Sequence, residues 1–213
     1  MDALLASYGP PSAGEQIGIV TVAGTIVDGE GGPGSAAGDT ISQLIYEALD
    51  SKDLKALVIR VDSPGGSVTA SEKIRLAIAA AKAKNIPVVV SMANLAASGG
   101  YWVSLPADVI FADPSTITGS IGIFGLLHTA EQAMPALGLN VDGVGTTELA
   151  GLSAGLPLFK GLDPKAKDLF QLLIERGYTE FLTMVGENRN MTNTEVDAVA
   201  QGRVWTGTKA LEL

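Results

Sequence analysis

The chain contains no cysteine and a single histidine. The first absence excludes a thiol nucleophile, a disulfide framework and thiolate metal sites, and the second excludes a histidine-rich metal centre. Basic residues are scarce: 14 Lys and Arg against 23 Asp and Glu leave a net charge of −9. The clustered cations that phosphate binding needs are missing, so no nucleic-acid partner is expected. No run approaches the roughly 20 apolar residues that span a bilayer, and the N-terminus lacks a basic segment followed by an apolar one. Contact with a membrane would need an anchor in another part of the full polypeptide.

What is plentiful is glycine, 26 of 213 residues, within a chain that is 46% hydrophobic and only 5% aromatic. That composition suits an α/β protein of tight turns with a sizeable core, as one large domain or one domain with a small appendage. Residues 1–14 read as a linker or flexible arm. Gln16 to Val27 is β-rich, with a glycine bend at Gly24, and Asp28 to Gly38 reads as a mobile loop unable to pack a core. Asp39 or Thr40 can cap a helix through about Leu49. Lys55 to Asp62 and Pro87 to Met92 are strands, separated by a helix from about Thr69 to Lys84, and Val109 to Ala112 is a fourth strand. Strand and helix in alternation predict a mostly parallel sheet with helical cover.

Further on, the glycine-punctuated segment Asp113 to Gly122 could line a groove. A short helix over Glu131 to Leu137, a short strand over Val141 to Val144 and a small-residue loop over Leu149 to Leu162 follow. Asp163 and Pro164 open a long helix to about Asn188, with Leu169, Leu172, Leu173, Tyr178, Phe181, Leu182 and Val185 as its apolar positions. Thr192 or Thr194 caps a helix to Ala200. Gly202 to Gly207 is a docked strand or turn, and the chain stops in mid-element at Leu213.

Two stretches carry chemistry. In Pro87 to Tyr101 an apolar β-branched run breaks into Ala96-Ala97-Ser98-Gly99-Gly100, which places Ser98 at a strand-to-helix corner. A serine there can present Oγ to a groove while the glycines let a substrate carbonyl approach. On this stretch alone an ordinary N-cap serine is the commoner reading. The second stretch, Asp62-Ser63-Pro64-Gly65-Gly66, is by itself a good turn. Beside a nucleophile, its backbone N–H groups and that of Gly99 would stabilise a tetrahedral oxyanion, so Gly65, Gly66 and Gly99 are the candidate oxyanion hole.

Taken together, V-D-S-P-G-G-S-V-T-A-S-E, A-A-S-G-G-Y-W and T-G-S-I-G-I-F-G, within Val58 to Gly125, closely resemble the signal peptide peptidase A family of bacterial membrane-associated serine peptidases. Weaker similarity runs on through Gly177-Tyr178 to Gly202-Arg203-Val204-Trp205-Thr206-Gly207. The resemblance implies a Clp-protease and crotonase type of spiral α/β fold over residues 15–213, Ser98 as nucleophile and a Ser–Lys dyad without cofactor or metal. It also implies that Ser120 orients the lysine. His128 is left out, because the histidine base of related Clp subunits best matches Ser120.

The base is where the chain departs from single-domain members, whose K-S-A-G-like stretch corresponds here to Gly151-Leu152-Ser153-Ala154-Gly155. Leu152 cannot accept a proton. Lys165 and Lys167 read as a solvated helix start, whereas Lys160, near Leu156, Leu158 and Phe159, is the remaining internal candidate. In the long, two-repeat form of the family the N-terminal half supplies the lysine and the C-terminal half the serine. The chain resembles that C-terminal half, so it is expected to be a poorly active fragment without its base.

The resemblance further implies cleaved signal peptides and other extended peptides as substrates and a ring-like homo-oligomer. It places the chain at the bacterial inner membrane, with its catalytic part on the periplasmic side. Val68, Leu95, Ala96 and Ala97 are the expected groove lining. Rival readings are a crotonase-like acyl-CoA enzyme, a catalytically silent scaffold half and a phage prohead protease. The first needs acidic residues at the hole, but Glu72 and Asp62 are expected to face solvent.

Overall fold

A computed structural model describes residues 14–147, 150–153 and 159–213, so all of the expected arm but Gly14 lies outside the described residues. Two compact units emerge: the chain up to Gly122 together with Phe181–Leu213, and Ile123–Glu180.

The first unit is built on a sheet whose strands read directly from the β-branched runs. β1 (Gln16–Ala23), β4 (Leu54–Ser63) and β5 (Val88–Ala97) pair in parallel, with β2 (Thr25–Val27) and β3 (Ser35–Ala37) forming a separate parallel pair between β1 and β4 in the chain. β6 (Val109–Phe111) and β7 (Ile117–Gly119) both lie parallel to β5, on its first and last residues respectively. β8 (Val204–Thr206) closes the order β1-β4-β5-β7-β8 as its antiparallel member. Leu57, Ile59 and Val61 of β4 and Val88 and Val90 of β5 are fully buried in one core. Each such side chain contributes about 1.5–3 kcal/mol by leaving water.

Helices α1 (Gly38–Leu49) and α2 (Val68–Ala83) supply Ile41, Ile45, Ile74 and Ile78 to the same core. α3 (Gly99–Ser104) follows β5 directly. The second unit holds α4 (Ala133–Ala136), α5 (Ala150–Ser153) and the first part of α6 (Pro164–Arg189). α7 (Asn193–Val199) and α8 (Gly207–Glu212) belong to the first unit. Thr192 caps α7 through a reciprocal capping box with Glu195, and the Asp163 carboxylate accepts from the Ala166 N–H at the start of α6.

Several expectations change. The supposed loop 28–38 contains β3, whose Ala36 and Ala37 are 1% exposed: small side chains let this stretch pack beside β2 although its glycines suggest a solvated loop. Ala37, without a side-chain cap, occupies the N-cap of α1, and Asp39 already lies in the first turn. Residues 141–144 form no strand, since among the described residues no strand pairs with them. Residues 149–162 are not all loop, because α5 falls within them, while residues 149 and 154–158 lie outside the described residues. Leu172 and Leu173 of α6 are 60% and 55% exposed, so the apolar face of that helix is narrower than its sequence suggests.

Candidate active site

The site lies at the C-terminal ends of β4, β5 and β7. Ser98 ends the β5 run at the N-cap of α3, with φ 52° and ψ −118°. A β-carbon at this φ is strained, by about 1–3 kcal/mol. Its hydroxyl caps nothing and makes no hydrogen bond with any described residue. The part-buried Ser98 is therefore not the ordinary capping serine that its position alone suggests.

The backbone fixes this corner. Ala97 of β5 aligns with Gly119 of β7, and the Ser98 N–H donates to the Gly119 carbonyl at 2.9 Å. Ser120 follows Gly119 as Ser98 follows Ala97, so the two serines leave neighbouring parallel strands side by side. Ser120 also has positive φ, 49°, and its N–H donates to the Arg203 carbonyl at 2.7 Å. Its hydroxyl, like that of Ser98, is not bonded to any described residue.

Against this corner lies the Gly65–Gly66 turn. A methyl group on Gly65 would sit 2.5 Å from the Gly99 nitrogen and 2.9 Å from Ser98 Cβ, and φ there is 96°. Only glycine allows the turn to come so close. A methyl on Gly99 would meet Ser71 Oγ of α2 and lie 3.3 Å from the Gly66 nitrogen. Three candidate donors are thus adjacent, but they are not equivalent. The Gly65 N–H donates to Ser63 Oγ at 3.1 Å, so it is engaged. No described group accepts from the N–H of Gly66 or of Gly99, the latter at the first turn of α3, where helix geometry offers no acceptor. The free pair is therefore Gly66 and Gly99.

The expected lining divides. Val68 is 42% exposed at the start of α2, and Leu95 is part-buried. Ala96 is fully buried in the core and Ala97 is 4% exposed, both at the end of β5 beside β7, so little of either methyl group reaches a groove. Between Val61 and Ser63 the β4–β5 register jumps from Met92 to Ala96, so β5 carries two extra residues just before the site. Asp62 fills the gap by accepting from the Leu95 N–H at 3.2 Å.

Glu72 is also part-buried, contrary to expectation. It accepts from Trp102 Nε1 at 2.8 Å and from two nitrogens of Arg75 at 2.6 and 2.7 Å. Burial works to raise its pKa, but the hydrogen bonds from Arg75 and Trp102 and the Arg75 charge outweigh that and hold it below the ordinary value. Ser63 and Glu72 are the residues that sequence reasoning missed. Each stood within a quoted motif, and only the fold gives it a partner.

The sequence profile described as Peptidase family S49 matches residues 80–213. The chain belongs to peptidase family S49. Among curated S49-like relatives, it is 48% identical to Protease 4 of Salmonella typhi, over 94% of this chain and 32% of that protein. It is 34% identical to the chloroplastic serine protease SPPA of Arabidopsis thaliana, over 92% of this chain and 29% of that protein. The chain therefore spans about a third of the length of these relatives. A solved ClpP1 mutant from Listeria monocytogenes superposes with a TM-score of 0.53 at 15% identity, over 91% of this chain and 85% of that one. The S49 chain thus has the expected Clp-protease-like α/β fold.

The three lysines weighed as an internal base, Lys160, Lys165 and Lys167, are all exposed. Lys160 Nζ is 2.8 Å from Asp142 and its side chain is 49% exposed, which is not the dry apolar setting a neutral amine base requires. Lys165 and Lys167 are exposed at the start of α6. His128 is exposed as well.

Proposed function

We propose that this chain is the nucleophile-bearing part of a serine peptidase that cleaves extended peptides, with the general base supplied from outside the chain. The observation that carries this reading is Ser98 itself: a strained serine with an unbonded hydroxyl, against two unbonded N–H groups on Gly66 and Gly99. Strain persists where the surrounding structure over-determines it, and such positions cluster at active sites.

In this mechanism a neutral lysine amine takes the Ser98 proton as Oγ bonds to the scissile carbonyl carbon. The N–H groups of Gly66 and Gly99 receive the oxyanion. The lysine then protonates the leaving amine as the C–N bond breaks, and water attacks the acyl-enzyme by the reverse proton path. Ser120, leaving the neighbouring strand beside Ser98, orients the lysine. The substrates are remnants of signal peptides and other unfolded segments, met by a ring-like homo-oligomer on the periplasmic side of the bacterial inner membrane. Among the described residues no helix is long and apolar enough to cross a membrane, and this reading puts any anchor in another part of the polypeptide. The pairing of Lys160 with Asp142 supports an external base. A crotonase-like reaction gains no support, because Glu72 and Asp62 are both engaged by protein donors.

The experiment is covalent labelling of Ser98 by a fluorophosphonate, read by intact mass, with and without the remaining polypeptide and against Ser98→Ala. Labelling that needs both Ser98 and the added polypeptide supports the split dyad. Equal labelling by the chain alone overturns the external base and returns the role to Lys160.

A further inference from the structure

The donor pair of the proposed oxyanion hole is divided between the turn that leads into one helix and the start of another. Gly66 sits two residues before α2, and Gly99 is the first residue of α3. With six residues α3 is too short to hold its own orientation, so its packing partners must set it.

The partner toward α2 is specific. Trp102 of α3 is 2% exposed, and its Nε1–H donates to Glu72 Oε2 of α2 at 2.8 Å. Glu72 is in turn fixed by Arg75, whose Nε and Nη2 reach both carboxylate oxygens. The indole also packs against Phe181, with ring centroids 4.6 Å apart and the rings tilted by 52°. Immediately before Glu72 on α2, the Ser71 hydroxyl faces Gly99. An apolar pair of similar volume could fill this space, but it would lack the direction that a charge-assisted hydrogen bond imposes.

We infer that Glu72 is a positioning residue for the proposed acylation of Ser98: through the Trp102 indole it fixes α3 on α2, and so sets the spacing of the Gly66 and Gly99 N–H donors. The inference rests on the reading of Ser98 as nucleophile. A small misplacement of such donors can cost up to about a hundredfold in rate, so removing one hydrogen bond of the tie should be visible in kinetics as well as in stability.

The test uses the intact polypeptide and a fluorophosphonate, comparing the parent with Trp102→Phe, Glu72→Ala, the double variant and Glu72→Gln. The readouts are the saturating rate of Ser98 labelling, the half-saturating concentration and the thermal midpoint. Trp102→Phe and Glu72→Ala should each lower the saturating rate about tenfold and leave half-saturation within about twofold. The double variant should be no slower than the slower single, because both changes break one interaction. Glu72→Gln retains an acceptor for the indole and should stay within about threefold of the parent. Lower thermal midpoints with parental saturating rates would reduce Glu72 to a structural role. Labelling that survives Ser98→Ala would instead overturn the nucleophile reading and this inference with it.

Discussion

At Gly65 a single missing β-carbon decides whether the site can exist. A methyl there would press on the Gly99 nitrogen and Ser98 Cβ, atoms of the main chain and of the proposed nucleophile that cannot swing aside. Gly65→Ala should therefore destabilise the protein by about 1–3 kcal/mol, measured by denaturant unfolding, and abolish fluorophosphonate labelling. Ser98 makes the complementary case. Glycine tolerates φ 52° where a β-carbon does not, so Ser98→Gly should be more stable than Ser98→Ala by about 1 kcal/mol while both are inert to the probe. Equal stability of the two would mean that the corner stores no strain. Ser98 and its glycines stand out in the sequence as candidates because the proposed chemistry demands these residue types. The sequence could not show that the Gly65 N–H is already taken by Ser63, since that depends on a side chain whose rotamer only the folded turn defines.

Between elements, short polar ties hold the strand ends where ladder pairing stops. Ser63 Oγ, fully buried, donates to the Gly24 carbonyl and accepts from the Gly65 N–H, joining the end of β1 to the Gly65–Gly66 turn. Ser63→Ala leaves both backbone groups without that partner. It should cost about 1–3 kcal/mol in unfolding free energy. The tie between α2 and α3 carries a pH signature. The folded-state pKa of Glu72 is depressed below 4.5, so its contribution is present above the unfolded value and is lost as pH falls through the lower folded value. Denaturation midpoints across the acid range should fall less steeply for Glu72→Gln than for the parent, and parallel curves would refute the assignment. Asp108, also depressed, by the Val88 N–H and Lys82, is common to both proteins and cancels. Element order was legible because β4 and β5 carry β-branched apolar runs and α2 repeats its apolar residues at helical spacing. β3 was not: its three small residues have no period, and their burial depends on β2 alongside.

For the whole chain, the contrast between its two units bears on how it works. The first unit buries a contiguous apolar cluster beneath α1 and α2. In the second, Phe124, Leu126, Leu137 and Val144 are 72–107% exposed, and no described strand forms there. If these side chains form one contiguous patch, they mark a surface that a partner covers. Under the proposed split dyad the occupant would be the remaining polypeptide, since the chain spans about a third of the length of these relatives. Limited proteolysis of the chain alone should cut first within residues 123–147, leaving β1 through β7 intact, because local opening is easiest where few apolar contacts must break. Adding the remaining polypeptide should slow those cuts under the same conditions in which it restores labelling of Ser98. Protection without labelling would mean that the partner covers this surface but does not bring the base. Labelling without protection would separate the base from the cover. Coincidence of the two would tie completion of the fold to completion of the dyad, so that the serine acquires its proton acceptor only when the exposed unit is covered.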